Sequence, residues 1–121
     1  MNEIQTIEIR SEFDVFMARM QVRKLARSTG FDITSQARVA LATSSLARAL
    51  RLGETYQGHI SIGRFDNGDR IGLQVACTAI QGENLDTSSR AFSDVRWLID
   101  DLLVKRLPAG DLQVTLIKWV K

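Results

Sequence analysis

The hydrophobic pattern divides the chain into seven readable segments. Ile4, Thr6 and Glu8 alternate with Gln5, Ile7 and Ile9, which predicts a short strand near a sheet edge. Ser11 precedes Asp14 by three residues, a variant of the capping box, and opens a helix to about Ser28. Phe13, Phe16, Met17 and Met20 recur at helical spacing and form an apolar stripe expected to cover a sheet. Gly30 stops this helix. Thr34 or Asp32 caps a second helix to about Leu52, with Val39, Ala42, Leu46 and Ala49 or Leu50 on one alanine-rich face and Gly53 at its stop. Residues 57–66 and 70–78 read as two strands around Asn67-Gly68, the pair that supplies positive backbone dihedrals to a tight reversal. A polar loop covers residues 81–90. A third helix is expected from about Arg90 or Ser93 to Arg106, with Phe92, Val95, Leu98 or Ile99, and Leu102 inward and Pro108 and Gly110 after it. Leu112 to Val120 alternates as a last strand.

The order β-α-α-β-β-α-β predicts an α+β fold: a two-layer α/β sandwich with helices on one face of a mixed, mostly antiparallel sheet. With 121 residues and 13.6 kDa the chain is expected to form a single domain over 1–121. The apolar share of 45% against 25% charged residues is that of a folded domain rather than a disordered one. No run of 18 apolar residues occurs, and the first ten residues have neither the basic start nor the apolar core of a signal peptide. A cytoplasmic protein without a membrane partner is the expectation.

Candidate chemistry is sparse. One cysteine and one histidine exclude a zinc site built from several such side chains. Cys77 falls on an apolar strand face and reads as a small buried hydrophobe. His59 reads as a packing or surface residue. Ser44 and Ser45 have no adjacent base in sequence. Asp100 and Asp101, neighbours on the expected third helix, point apart. Asp66, Asn67 and Asp69 suit a turn better than a metal, and neither phosphate-binding glycine motif is present. Arg19, Arg23 and Arg27 repeat every four residues as a basic stripe, and Arg38, Arg48 and Arg51 add charge on the second helix. The stripe reads either as a solvated face or as a protein-binding face for an acidic partner. A net charge of +2 without interleaved aromatics speaks against nucleic acid.

Two stretches, Val22-Arg23-Lys24-Leu25-Ala26-Arg27-Ser28-Thr29-Gly30-Phe31 and Gln36-Ala37-Arg38-Val39-Ala40-Leu41-Ala42-Thr43-Ser44-Ser45-Leu46-Ala47-Arg48-Ala49, carry a wider likeness. With the ending Gly110-Asp111-Leu112-Gln113-Val114-Thr115-Leu116-Ile117-Lys118-Trp119, the chain resembles the anti-sigma-factor and switch-protein serine kinases of the histidine-kinase-like (GHKL) ATPase superfamily. The resemblance spans nearly the whole chain and implies the histidine-kinase-like ATPase fold. It also implies a second-helix glutamate as general base and, four residues on, a magnesium-binding asparagine. Ser45 and Ala49 stand at those positions. The family's adenine-binding aspartate is matched by Thr78, and of its glycines only Gly82 remains. Asp86-Thr87-Ser88-Ser89-Arg90-Ala91-Phe92, where a glycine-rich lid end belongs, contains no glycine.

The resemblance therefore implies a degenerate member, a pseudokinase without catalytic residues, metal or cofactor. Its partners would be antagonist domains or sigma-factor regulators of a bacterial partner-switching or stress-signalling pathway, with an oligomer also open. An active serine/threonine kinase with divergent boxes is the alternative, and a nucleic-acid accessory protein using the arginine stripe is a third reading.

Overall fold

The computed structural model describes residues 4–120. The expectations of one domain over 1–121 and of no signal peptide extend into residues outside that range. Eight elements follow one another: β1 (Ile4–Ile9), α1 (Glu12–Thr29), α2 (Ile33–Ala49), β2 (Gly58–Asp66), β3 (Ile71–Ala79), α3 (Arg90–Arg96), β4 (Asp101–Arg106) and β5 (Leu112–Trp119). The five strands form one sheet in the order β1-β2-β3-β5-β4, and every neighbouring pair is antiparallel. The expected α+β sandwich is present, with an antiparallel rather than a mixed sheet.

Strand alternation sets the two faces of the sheet. Ile60, Ile62, Leu73, Val75, Cys77, Val114 and Leu116 are fully buried under the helices. Their registers, Ile60↔Cys77 and Ile62↔Val75 on one side and Cys77↔Val114 and Val75↔Leu116 on the other, place them on one face. His59, Ser61, Gln74, Thr78, Gln113 and Thr115 alternate onto the other face, which no helix covers. On that open face Phe65 and Trp119 flank Gly72 in register, with ring centroids 5.3 Å apart. The Arg70 guanidinium lies 4.0 Å over the Trp119 ring. A Cβ on Gly72 would sit 2.9 Å from Trp119 Cε3 and 2.6 Å from the Lys118 carbonyl oxygen, so the aromatic pair closes over a site that only glycine leaves open.

Local chemistry explains the helix ends. Asp32 Oδ1 accepts the Ser35 N–H at 2.7 Å and is the α2 cap. At the start of α1 the expected box is replaced by another bond: Asp14 Oδ2 accepts the N–H of Arg10, the residue before the cap, at 2.9 Å, and the Ser11 hydroxyl makes no capping bond. Gly30, at φ 108°, stops α1, and the Phe31 N–H returns to the Ala26 carbonyl. α2 ends at Ala49, three residues short of the expected Leu52.

The β2–β3 turn stands where Asn67-Gly68 predicts it, by a different device. Gly68 alone has a positive φ there, and the Asn67 side-chain oxygen instead accepts the N–H groups of Asp69 and Arg70.

Two expectations are corrected. The third helix ends at Arg96, and residues expected to continue it form β4. Phe92, Val95 and Ile99 do reach the core, but the Asp100 N–H binds the Ile117 carbonyl and its carboxylate accepts the Trp119 N–H at 2.7 Å. The chain is thereby handed to the free edge of β5, where Leu102, Val104 and Arg106 alternate as strand residues. Asp100 thus lies between the helix and β4, and Asp101 opens the strand. The second correction concerns α1. Its core face is Ala18, Val22 and Ala26, with Val15 and Leu25 half-buried, whereas Phe13, Phe16, Met17 and Met20 face outward. Small residues let α1 lie close against α2 and the sheet, and their face stays uncharged for the length of the helix.

Candidate functional site

Cys77 sits wholly buried on the helix-covered face, and desolvation pushes its thiol up to about 12. It is an inert core residue, as the sequence pattern indicates. Ser45 and Ala49 lie one turn apart on α2, both half-buried. Thr78 is on the open face of the sheet, its hydroxyl accepting from Gln113 Nε2 at 3.3 Å. Its side chain therefore points away from the layer that carries Ser45 and Ala49.

Gly82 lies in the turn after β3, where a Cβ would come within 2.8 Å of Ala79 Cβ and 3.1 Å of Leu85 Cδ1. Close packing explains that glycine. Of the positions matched to the kinase motifs, Thr78 is separated from Ser45 and Ala49 by the sheet.

The loop between β3 and α3 is tied down. The Gln81 N–H binds Asp111 Oδ1 at 3.0 Å, its amide donates to the Ala109 carbonyl, and the Glu83 N–H binds the Gly110 carbonyl. Arg106 reaches across to donate to the carbonyls of Glu83 and Leu85. Within the loop, Asp86 accepts both the hydroxyl and the N–H of Ser88, the hydroxyl bond first among the causes that hold its carboxyl below the usual range. The bonds of Gln81, Glu83 and Leu85 fasten residues 81–85 to β4 and the β4–β5 turn. No local signal in the sequence marks Arg106 for this role, because a helical period over residues 90–106 conceals the strand that aims it at the loop.

The exposed basic residues occupy the outer side of the α1–α2 hairpin. Arg19, Arg23 and Arg27 are all exposed, but they fall into two adjoining grooves. Arg19 donates to Ser44 Oγ at 3.4 Å and enters a cleft of about 250 Å³ with Phe16, Arg48, Arg51, Glu12 and Glu54. Arg23, Lys24 and Arg27 border a more open groove with Met20, Ile33 and Gln36. Among the described residues none of these cations is in an ion pair. Beside them Phe13 is 66% exposed, Phe16 54% and Met20 51%, with Met17 over a third exposed. The sequence contained the signal for this apolar face: on the helix surface its stripe runs on into Arg23, Lys24 and Arg27, which a core cannot accept.

Comparison with known proteins bears on these features. The chain is 25% identical to the serine/threonine-protein kinase RsbT of Bacillus subtilis (strain 168), over 135 aligned positions that take in the whole of both chains. It superposes with a TM-score of 0.59 on a chain of the SiaB–SiaC complex from Pseudomonas aeruginosa, at 11% identity, covering 96% of this chain and 89% of that one. The second likeness is one of fold. No protein-family model matches the chain. Among the described residues no helix is long and apolar enough to cross a membrane.

Proposed function

We propose that this chain is a catalytically silent regulatory domain that binds protein partners in a bacterial partner-switching or stress-signalling pathway. In this reading it is a cytoplasmic, degenerate relative of the anti-sigma-factor serine kinases of the histidine-kinase-like ATPase superfamily. Antagonist domains or sigma-factor regulators are its partners, and Arg19, Arg23 and Arg27 contribute to the docking face.

The observation that carries the reading is the pair Ser45 and Ala49 on α2, a hydroxyl and a methyl where the resemblance asks for a base and a magnesium ligand. Phosphoryl transfer depends on positioning and on metal-assisted charge stabilisation, which these groups do not supply. Two further features support it. Thr78 faces the open side of the sheet, and the loop after β3 is fastened at Gln81 to the β4–β5 turn. Full-length similarity to RsbT favours a second reading, an active serine/threonine kinase with divergent motifs.

Isothermal calorimetry with ATP and magnesium separates the two. Losing three charge-assisted contacts, to the metal, the adenine and the phosphates, at roughly 1.5–3 kcal/mol each, weakens a site by roughly three to six powers of ten. No binding tighter than about 1 mM is therefore expected. A micromolar dissociation constant, or phosphate transfer to a serine of a partner, would make the kinase reading the correct one.

A further inference from the structure

An apolar ridge stands outside the core beside a row of cations that form no ion pair among the described residues, and fold and packing do not explain it. Phe13, Phe16, Met17 and Met20 repeat as i, i+3, i+4, i+7 along two turns of α1. Together they present apolar surface on the order of 400 Å², comparable with the largest patch of an ordinary monomer and often functional. The next turns of the same surface carry Arg23, Lys24 and Arg27, and across the hairpin stand Arg48 and Arg51.

We propose that the outer groove of the α1–α2 hairpin is the docking site for an acidic amphipathic helix of a protein partner. The inference rests on the protein-binding reading above and specifies its surface and the chemistry of its partner. Two antiparallel helices with an apolar ridge offer a seat for a third helix, whose own i, i+3, i+4, i+7 side chains pack against the four on α1. Carboxylates flanking that stripe meet Arg19, Arg23 and Arg27, which need no rearrangement of existing ion pairs to receive them. Met17 and Met20 can adapt to the packed side chains.

Charge separates this occupant from a second copy of the chain. A second copy would bring the same groove to itself, and six cations against only Glu12 and Glu54 give each side a positive excess. An anionic membrane surface shares the acidic partner's charge, and the vesicle measurement below separates the two.

The test uses the full chain, without nucleotide, and a fluorescein-labelled 18-residue peptide with leucines at helical spacing on one face and glutamates beside them. Fluorescence anisotropy should give saturable binding, with a dissociation constant on the order of 10 μM that weakens with salt. A peptide of the same composition with leucines dispersed around the helix, and one with lysine for glutamate, should bind at least tenfold more weakly. The Phe13→Ser/Met20→Ser variant should lose at least tenfold for the acidic peptide. Arg23→Glu/Arg27→Glu should lose it too and gain affinity for the lysine peptide. These side chains are exposed, so circular dichroism and melting should match the parent.

Equal binding of the dispersed peptide, or no binding of the acidic one, would overturn the proposal. So would a sedimenting dimer abolished by Met17→Glu, or co-sedimentation with phosphatidylcholine–phosphatidylglycerol vesicles abolished by Phe13→Ser. ATP calorimetry is independent of all these results. A silent groove with no ATP binding removes only the docking site, whereas ATP binding with a working groove removes only the catalytic silence.

Discussion

Replacing Asp100 should be among the most damaging single changes near the surface. One carboxylate oxygen accepts the Trp119 N–H at 2.7 Å, and the other lies 3.8 Å from Lys118 Nζ. The Lys118 side chain is only 7% exposed, on the face of β5 that meets the helices, while that of Asp100 is 20% exposed. Asp100→Ala leaves a strand N–H without its acceptor, at about 1–3 kcal/mol. It also strips a buried ammonium of its counter-ion, which costs about 3–5 kcal/mol for a fully buried pair. The gap of 3.8 Å and the partial exposure of the carboxylate reduce the second figure, and a combined loss of about 2–4 kcal/mol follows. For a chain of this length that lowers the melting temperature by roughly 10 °C.

Asp100→Asn keeps an oxygen for the Trp119 N–H and loses the charge, so about half the effect should remain. Urea unfolding followed by circular dichroism measures both variants, with an unchanged denaturant slope as the check that only stability moved. The discriminating measurement is the double-mutant cycle with Lys118→Met, which should show coupling above about 1 kcal/mol because the methionine buries no charge. Additive losses, or an Asp100→Ala variant within about 0.5 kcal/mol of the parent, would refute the ion-pair reasoning.

Gly72→Ala should lower stability by about 1–3 kcal/mol, because its Cβ meets the Lys118 carbonyl and the Trp119 ring and neither can withdraw without opening the β3–β5 ladder; chemical denaturation reports it. Changing Arg19, Arg23 and Arg27 together to serine should barely move the melting temperature, since exposed charges contribute little, while weakening partner association and its salt dependence. Asp32, whose carboxyl is held below its ordinary value first by the Ser35 N–H, stabilises the fold above that ordinary value, and the contribution disappears as pH falls through the lowered one. An acid titration of Asp32→Asn against the parent should therefore show the two stabilities converging below about pH 4. Cys77 should resist a thiol reagent at pH 8 in the native state and react at once in urea, because its thiol is buried and pushed up to about 12.

Local signals in the chain were sufficient for most elements and for the layer arrangement. Gly30, Asp32 and the Asn67-Gly68 turn act within a few residues of themselves, so their chemistry is visible without tertiary context. Residues 97–106 were not legible in that way. Leu98, Ile99 and Leu102 satisfy a helical period, and what overrides it is the unpaired edge of β5, which exists only once the sheet has formed. The inward face of α1 follows continuity rather than bulk. Phe13 and Phe16 are larger than Ala18 and Ala26, yet only the alanine face runs the helix free of charge. The arginine stripe was legible, but its neighbours Arg48 and Arg51 become part of the same groove only through the α1–α2 hairpin. The positions matched to the kinase motifs could be identified one by one. That Thr78 lies across the sheet from Ser45 and Ala49 follows from strand register, which motif spacing does not carry.

The strand order has a consequence for how the chain reaches this structure. Three of its main contacts, α1 with α2, β2 with β3 and β4 with β5, join chain neighbours and close over short turns. Only two ladders bridge distant parts: β1 with β2 encloses both long helices, and β3 with β5 encloses the polar loop, α3 and β4. Closing those two circuits costs more chain entropy than making any hairpin, so it should limit the folding rate. The β3–β5 ladder lies at the centre of the sheet and unites two preformed hairpins, whereas β1 adds to an edge. Weakening the Val75–Leu116 pair should slow folding, and weakening β1 should mainly hasten unfolding.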